Sequence, residues 1–139
     1  MTTRGSTNMA CLRCRDALVA IGWLCDAFGF QRRAVHADGD TVHHAQLTCG
    51  DGGMLMVGSV DKAGDWGRLV VQPDEIGGRE TQSCCVVIAD VEAHYARAIA
   101  AGAVIETELA DQDYGGRGHA CRDIEGHLWW FGSYDPWAA

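Results

Sequence analysis

Six histidines (His36, His43, His44, His94, His119, His127) and seven cysteines (Cys11, Cys14, Cys25, Cys49, Cys84, Cys85, Cys121) are the side chains through which this chain could hold a metal or run acid-base or thiol chemistry. Their spacing offers little of either. Cys11 and Cys14 have the spacing of half a zinc site, but they lie in a run that alternates as a strand does, where residues three apart point to opposite faces. No second such pair completes a set of four ligands. An odd number of cysteines without an export signal reads as reduced, buried small hydrophobes rather than a disulfide framework. His119 and Cys121 would stand side by side on a strand as base and thiol, yet such a pair needs a third group to activate it. There is no Gly-x-Ser-x-Gly, no phosphate-cradling glycine loop, and no pair of carboxylates placed to share a cavity.

The elements that must position these residues follow from turns and periodicity. Residues 10–15 alternate as a first strand, Asp16 caps a helix over Ala17–Phe28 with Leu18, Ile21, Leu24, Cys25 and Phe28 inward, and Gly29 stops it. Strands over 30–36, 41–48 and 54–58 follow, joined by turns at Asp38-Gly39 and Gly50–Gly53. Residues 61–82, with Pro73 and Gly77-Gly78, read as a connection holding a short strand or lid. The order then starts again. A strand over 84–89, the cap Asp90, a helix over 91–101 with Val91, Tyr95, Ala98 and Ile99 inward, and a strand over 104–108 precede a glycine-rich loop, 110–118, read as a lid carrying Tyr114 and Arg117. A hairpin over His119–Ser133 closes the chain and repeats the layout of His44–Ser59, from a His-Ala pair to a Gly-Ser end, with one residue's difference in length. Asp16 matches Asp90, Gly29 matches Gly102, His44 matches His119 and Ser59 matches Ser133.

Composition sets the outer bounds. With 139 residues, 47% of them hydrophobic, the chain is long enough for one ordinary core. The formal charge of −8 and the lack of a basic cluster beyond Arg32-Arg33 argue against nucleic acid and favour a cationic small partner. No apolar run is long enough to span a membrane, and Met1–Asn8 lacks the apolar core of a secretory signal, so a cytoplasmic location is expected.

The doubled β-α-β-β-β order, together with Arg15-Asp16, Ile21–Leu24, Ala27–Phe30, Met54–Ser59, Asp90–Tyr95, Asp113–Gly115 and Arg122–Trp129, resembles the glyoxalase/bleomycin-resistance/extradiol-dioxygenase group, the vicinal oxygen chelate superfamily. The resemblance implies an α+β fold of two tandem βαβββ modules, curved mixed sheets around a cavity, and a homodimer. Module one is expected over 9–60, the connection over 61–82, module two over 83–134, a tail over 135–139 and a flexible N-terminus over 1–8.

The family's metal enzymes place ligands near the start of each module's first strand and in each module's last strand. Counting from the anchors puts Met9, Ser83, Met56 and Trp130 there, none of them a normal ligand for a hard or borderline divalent ion. No cofactor is therefore expected, and the alternative is a divalent metal held through His44 and His119. Alternation extends the cavity wall to Cys11, Arg13, His44, Gln46, Cys85, Val87, His119, Cys121 and Leu128, an apolar, sulfur-rich and aromatic lining suited to a flat organic ligand, with Tyr114 at its mouth. Trp129 and Phe131 alternate to the opposite face, against the second helix. Trp23 is expected at a subunit contact, His94 on a helix surface and His127 in a turn, and Tyr134 and Trp137 belong to an aromatic tail. The resemblance implies a small-molecule-binding protein of the drug-sequestering type. An enzyme, glyoxalase- or dioxygenase-like and using a histidine-bound metal or no cofactor, is the competing class; an interaction module whose side chains fill their own pocket is a third.

Overall fold

The computed structural model describes residues 5–50 and 52–138. The expected N-terminal stretch 1–8 and tail 135–139 therefore lie partly outside the described residues. The first half comprises β1 (Ala10–Cys14), α1 (Ala17–Phe28), β2 (Gln31–Asp38), β3 (Thr41–Cys49) and β4 (Gly53–Ser59). The second comprises β5 (Cys84–Val87), α2 (Val91–Ala100), β6 (Val104–Asp111), β7 (Arg117–Arg122) and β8 (Leu128–Gly132). The sheets run β1-β4-β3-β2 and β5-β8-β7-β6, with the first pair in each parallel and the others antiparallel. The doubled module read from the repeat is the architecture found.

α1 forms because apolar and small residues recur at helical spacing, and it ends where Gly29 takes the left-handed conformation (φ 76°). The buried side is Ala17, Ala20, Ile21, Leu24, Ala27 and Phe28, whereas Leu18 is exposed and Cys25 half-buried. Alanines there let the helix approach closely. In α2 the buried residues are Val91, His94 and Ala98, and Ile99 faces out.

The two helices pack on one another and share one core between the two sheets, which do not close. Phe28 of α1 lies 4.6 Å, ring to ring, from Phe131 and 5.5 Å from Trp129, and Phe30 lies 5.4 Å from Trp129. Trp129 and Phe131 face the helices, as their alternation predicts. Trp23, expected at a subunit contact, is half-buried over the helix pair. Its indole donates to the carbonyl of Ala101 at 2.9 Å and joins the helices within one chain.

The halves also interlock at their turns. Glu125, in the β7–β8 turn, accepts from the backbone N–H groups of Arg15 (2.7 Å) and Asp16 (3.0 Å), so Asp16 begins α1 without a side-chain cap of its own. Asp90 does cap α2, accepting from the N–H of Ala93. Arg97 of α2 donates to the carbonyls of Asp26 (2.6 Å) and Cys25 (3.2 Å), satisfying the end of α1. The connection holds short 3₁₀-helical turns at Gly67–Leu69 and Pro73–Ile76 where a short strand or lid was expected. β6 and β7 extend into the expected lid, leaving a tight turn closed by hydrogen bonds between Gln112 and Gly116 and between Gly115 and Gln112.

Candidate functional site

Each sheet turns one face to the helices and one away. In β3, Ala45 and Leu47 are buried under the helices while His44 and Gln46 alternate outward, and the pairings Gln46 with Met56 and Cys11 with Met56 place Cys11 and Met56 on that outer face. Arg13 continues the alternation, its guanidinium lying over Gly58 and donating to the carbonyl of Ser59 at 3.1 Å. Met9, just before β1, is 40% exposed. His44 Nε2 and Gln46 Nε2 lie 3.1 Å apart, and the rings of His36 and His44 stack at 6.3 Å.

Two predicted members of this wall lie elsewhere. His119 pairs with Phe131 and Cys121 with Trp129, so both face the helices and are wholly buried. The outward partner of Trp130 is Ala120, just as Gln46 is the partner of Met56. Equivalent residues are thus Ala45 and His119, not His44 and His119. A register shift of one residue moves a side chain through the sheet. Burial, with the nearby Asp123 carboxylate adding, pushes the Cys121 thiol up to about 12, which keeps it protonated and removes it as a nucleophile at neutral pH.

On the outer face of the second sheet the dominant group is Trp130. Its indole covers Gly118 and Gly132: a Cβ on Gly118 would sit 2.4 Å from its Cζ2, and one on Gly132 3.0 Å from its Nε1. Glycine at both positions lets the ring lie down on the strands. Cys85 pairs with Trp130, and the exposed Val87 extends the apolar face through its pairing with Gly132, whereas Val104, also exposed, pairs with Arg122 at the far end of the sheet. Ser83 precedes β5 and is exposed. Tyr114 is 52% exposed in the β6–β7 turn, edge-on to Tyr134 at 5.2 Å, and Trp137 is almost fully exposed.

Because the helices stand between the sheets, one chain does not bring His44, Gln46 and Met56 together with Trp130. Nor do the positions implied for a metal fit one. Met9 and Met56 offer thioethers, Ser83 a hydroxyl and Trp130 an indole spread over glycines, and His119 is removed to the core. Among the described residues no three His, Cys, Asp or Glu side chains gather in ligating arrangement.

Sequence reasoning missed a buried polar seam between the halves. His127 lies in the β7–β8 turn as expected, but it is buried: its Nε2 lies 2.9 Å from the carbonyl of Arg13 and its Nδ1 3.0 Å from Glu80. Burial opposes its charge, but the carboxylates of Asp123 and Glu80 and the Arg13 carbonyl outweigh that and raise its pKa. Asp123 accepts from the N–H groups of Glu125 and His127 and from the Trp129 indole at 2.9 Å, while burial still raises its own pKa. His94, expected on a surface, is buried beside His119 at 5.9 Å between ring centres. The spacing of Asp123 and His127 around a glycine signals a turn, but the partners across the seam lie far away in sequence.

The family model for the glyoxalase/bleomycin resistance protein/dioxygenase superfamily matches residues 6–131. Among solved structures, TioX from Micromonospora sp. ML1 is 33% identical over 92% of this chain and 98% of its own, with a TM-score of 0.70. A glyoxylase/bleomycin resistance protein/dioxygenase domain from Frankia sp. EAN1pec is 16% identical over 94% of this chain and 92% of its own, with a TM-score of 0.69. The fosfomycin resistance protein FosX from Listeria monocytogenes, complexed with manganese(II) and 1S,2S-dihydroxypropylphosphonic acid, is 14% identical over 97% of this chain and 94% of its own, with a TM-score of 0.66. No curated protein sequence matches. The chain belongs to the glyoxalase/bleomycin resistance protein/dioxygenase superfamily.

Proposed function

We propose that this member of the superfamily is a cytoplasmic, metal-free homodimer that binds a flat organic molecule, neutral or cationic, and sequesters it without chemical change. The observation that carries the reading is Trp130, laid across Gly118 and Gly132 on an open sheet face. An indole presented flat, with Cys85 and Val87 beside it, is a stacking platform for a planar ring. A planar cation would gain further from the indole face and from the protein's net charge of −8.

The manganese-bound neighbour shows that the fold admits a metal. In this chain the positions that counting from the repeat anchors assigns to metal ligands carry Met9, Met56, Ser83 and Trp130, which supports the metal-free reading. The dimer is supported by the opposed outer faces: Met56, His44 and Gln46 on one sheet and Trp130 on the other form a two-walled site only when a second copy brings unlike sheets face to face. On this reading Met9, Cys85 and Tyr114 contribute to the same walls and rims, whereas His119 and Cys121 do not, and Cys11, Arg13 and Ser83 line a cleft where the two halves meet.

The test is calorimetric titration with proflavine, a planar cation, alongside sedimentation equilibrium. Wild-type protein should bind as a dimer, and Trp130→Ala should weaken binding about tenfold, the loss expected for one aromatic stacking contact. Unchanged affinity in Trp130→Ala, or a monomer that binds as tightly as the dimer, would overturn the reading.

A further inference from the structure

A cavity distinct from the Trp130 face lies at the edge of the first sheet's outer face, with Cys11 and Arg13 in its wall. It is a half-open cleft of about 460 Å³ where the halves meet, between the edge strand β1, the connection 66–83, and the ends of β5 and β8 nearest them. That volume is in the range of small-molecule sites. Its walls include Trp66, Leu69, Val71, Ile76 and Leu128, the first four exposed and all on the connection. Large exposed apolar side chains gathered about one concavity are unusual in a surface segment.

The charged groups lining the cleft are uneven. Glu80 is turned into the seam, where its carboxylate meets His127 Nδ1 and the N–H of Leu128, each at 3.0 Å. Arg13 and Arg79 line the same cleft and bond only to carbonyls, of Ser59 and Ile76, with no carboxylate partner among the described residues. By contrast Arg15, Arg117 and Arg122 are all paired with acids. In a chain of net charge −8, two uncommitted guanidinium groups beside one apolar cleft form a local reversal of sign. A guanidinium at the rim of an apolar pocket is suited to hold a carboxylate while the pocket takes the hydrocarbon.

We infer that this seam cleft is a second binding site, for a small organic anion with an apolar body, separate from the stacking face around Trp130. The occupant's hydrocarbon lies among Leu69, Val71, Ile76 and Leu128, and its anionic end meets Arg79 and Arg13. The site spans the connection and both halves, so its occupancy also ties down the segment that joins them.

The experiment is calorimetric titration of the full-length protein with octanoate and, separately, with octylammonium. Octanoate should bind and octylammonium should bind at least tenfold more weakly. Arg79→Gln, at an exposed side chain that supports no buried contact, should weaken octanoate about fivefold to tenfold, while Arg68→Gln, which removes the same charge outside the cleft, should not. Proflavine at saturation of its own site should leave octanoate affinity unchanged, which separates this site from the Trp130 face. Absence of octanoate binding, equal binding of the ammonium, equal effects of the two arginine variants, or displacement by proflavine would each overturn the inference.

Discussion

His119 and His94 sit in the core with all four ring nitrogens buried and, among the described residues, without hydrogen-bond partners, beside Phe28, Phe131 and Tyr95. An unpaired buried polar group costs about 1–3 kcal/mol, and a charged one more. Burial lowers the pKa of both; for His119, with the neighbouring His94 adding, it falls to about 4, and for His94 the nearby Arg97 guanidinium adds to the same effect. Cys121, on the same strand face as His119, is held neutral and offsets nothing. A base with a lowered folded pKa contributes fully above its unfolded value near 6.5 and loses that contribution as pH falls toward 4. Between pH 7 and pH 5 the His119 contribution to this loss is on the order of 2 kcal/mol. His127 works in the opposite sense, since its raised pKa adds stability below 6.5 that is lost as pH climbs through the folded value. A His119→Leu comparison isolates one from the other. Denaturant titrations should show His119→Leu no less stable than wild type at pH 7 and more stable by about 2 kcal/mol at pH 5. A variant that loses as much stability on acidification as the wild type would refute the assignment.

At the scale of elements, the two helix starts look alike in sequence and are built differently. Asp90 satisfies α2 through its own side chain, whereas α1 borrows Glu125 from the opposite half. Asp90→Ala should cost about 1 kcal/mol and Asp16→Ala close to nothing, while Glu125→Ala should cost about 2 kcal/mol by leaving two backbone donors unmet. Urea midpoints of the three variants check the order, and an Asp16 variant as damaging as the Asp90 one would contradict it. The same contrast explains what could be read in advance. Element order was legible because Asp, Gly and the Gly-Ser strand ends are local signals. Facing was legible in the first hairpin, where Ala45 and Leu47 are plainly the apolar set, and in Trp129 and Phe131. It was misread at His119 and Cys121 because the copies were aligned on their His-Ala pairs, and histidine does not declare its face. Aligning on the closing Gly58-Ser59 and Gly132-Ser133 sets Ala45 against His119, the register observed. The seam was illegible because Arg13, Glu80, Glu125 and His127 meet across long sequence separations, as in the 114 residues between Arg13 and His127.

At the scale of the molecule, the repeat invites the idea of two small domains, and the core argues against it. Phe28 packs on His94, Trp129 and Phe131, Phe30 packs on Trp129, and the Arg97 guanidinium finishes α1. Burying four aromatic side chains of this kind is worth about 6–12 kcal/mol, comparable with the entire stability of an ordinary domain. Neither half retains that burial alone, and each would leave its helix facing water. Separately produced fragments 1–82 and 83–139 should therefore show no cooperative thermal transition, and an equimolar mixture should regain one, because the lost contacts lie between fragments rather than within them. Circular dichroism melts of the fragments and the mixture decide the matter. A sharp melt from monomeric 1–82 by itself would mean that its hydrophobic face is closed by something other than the second half, and that the shared helix layer is a docking contact between independent folding units.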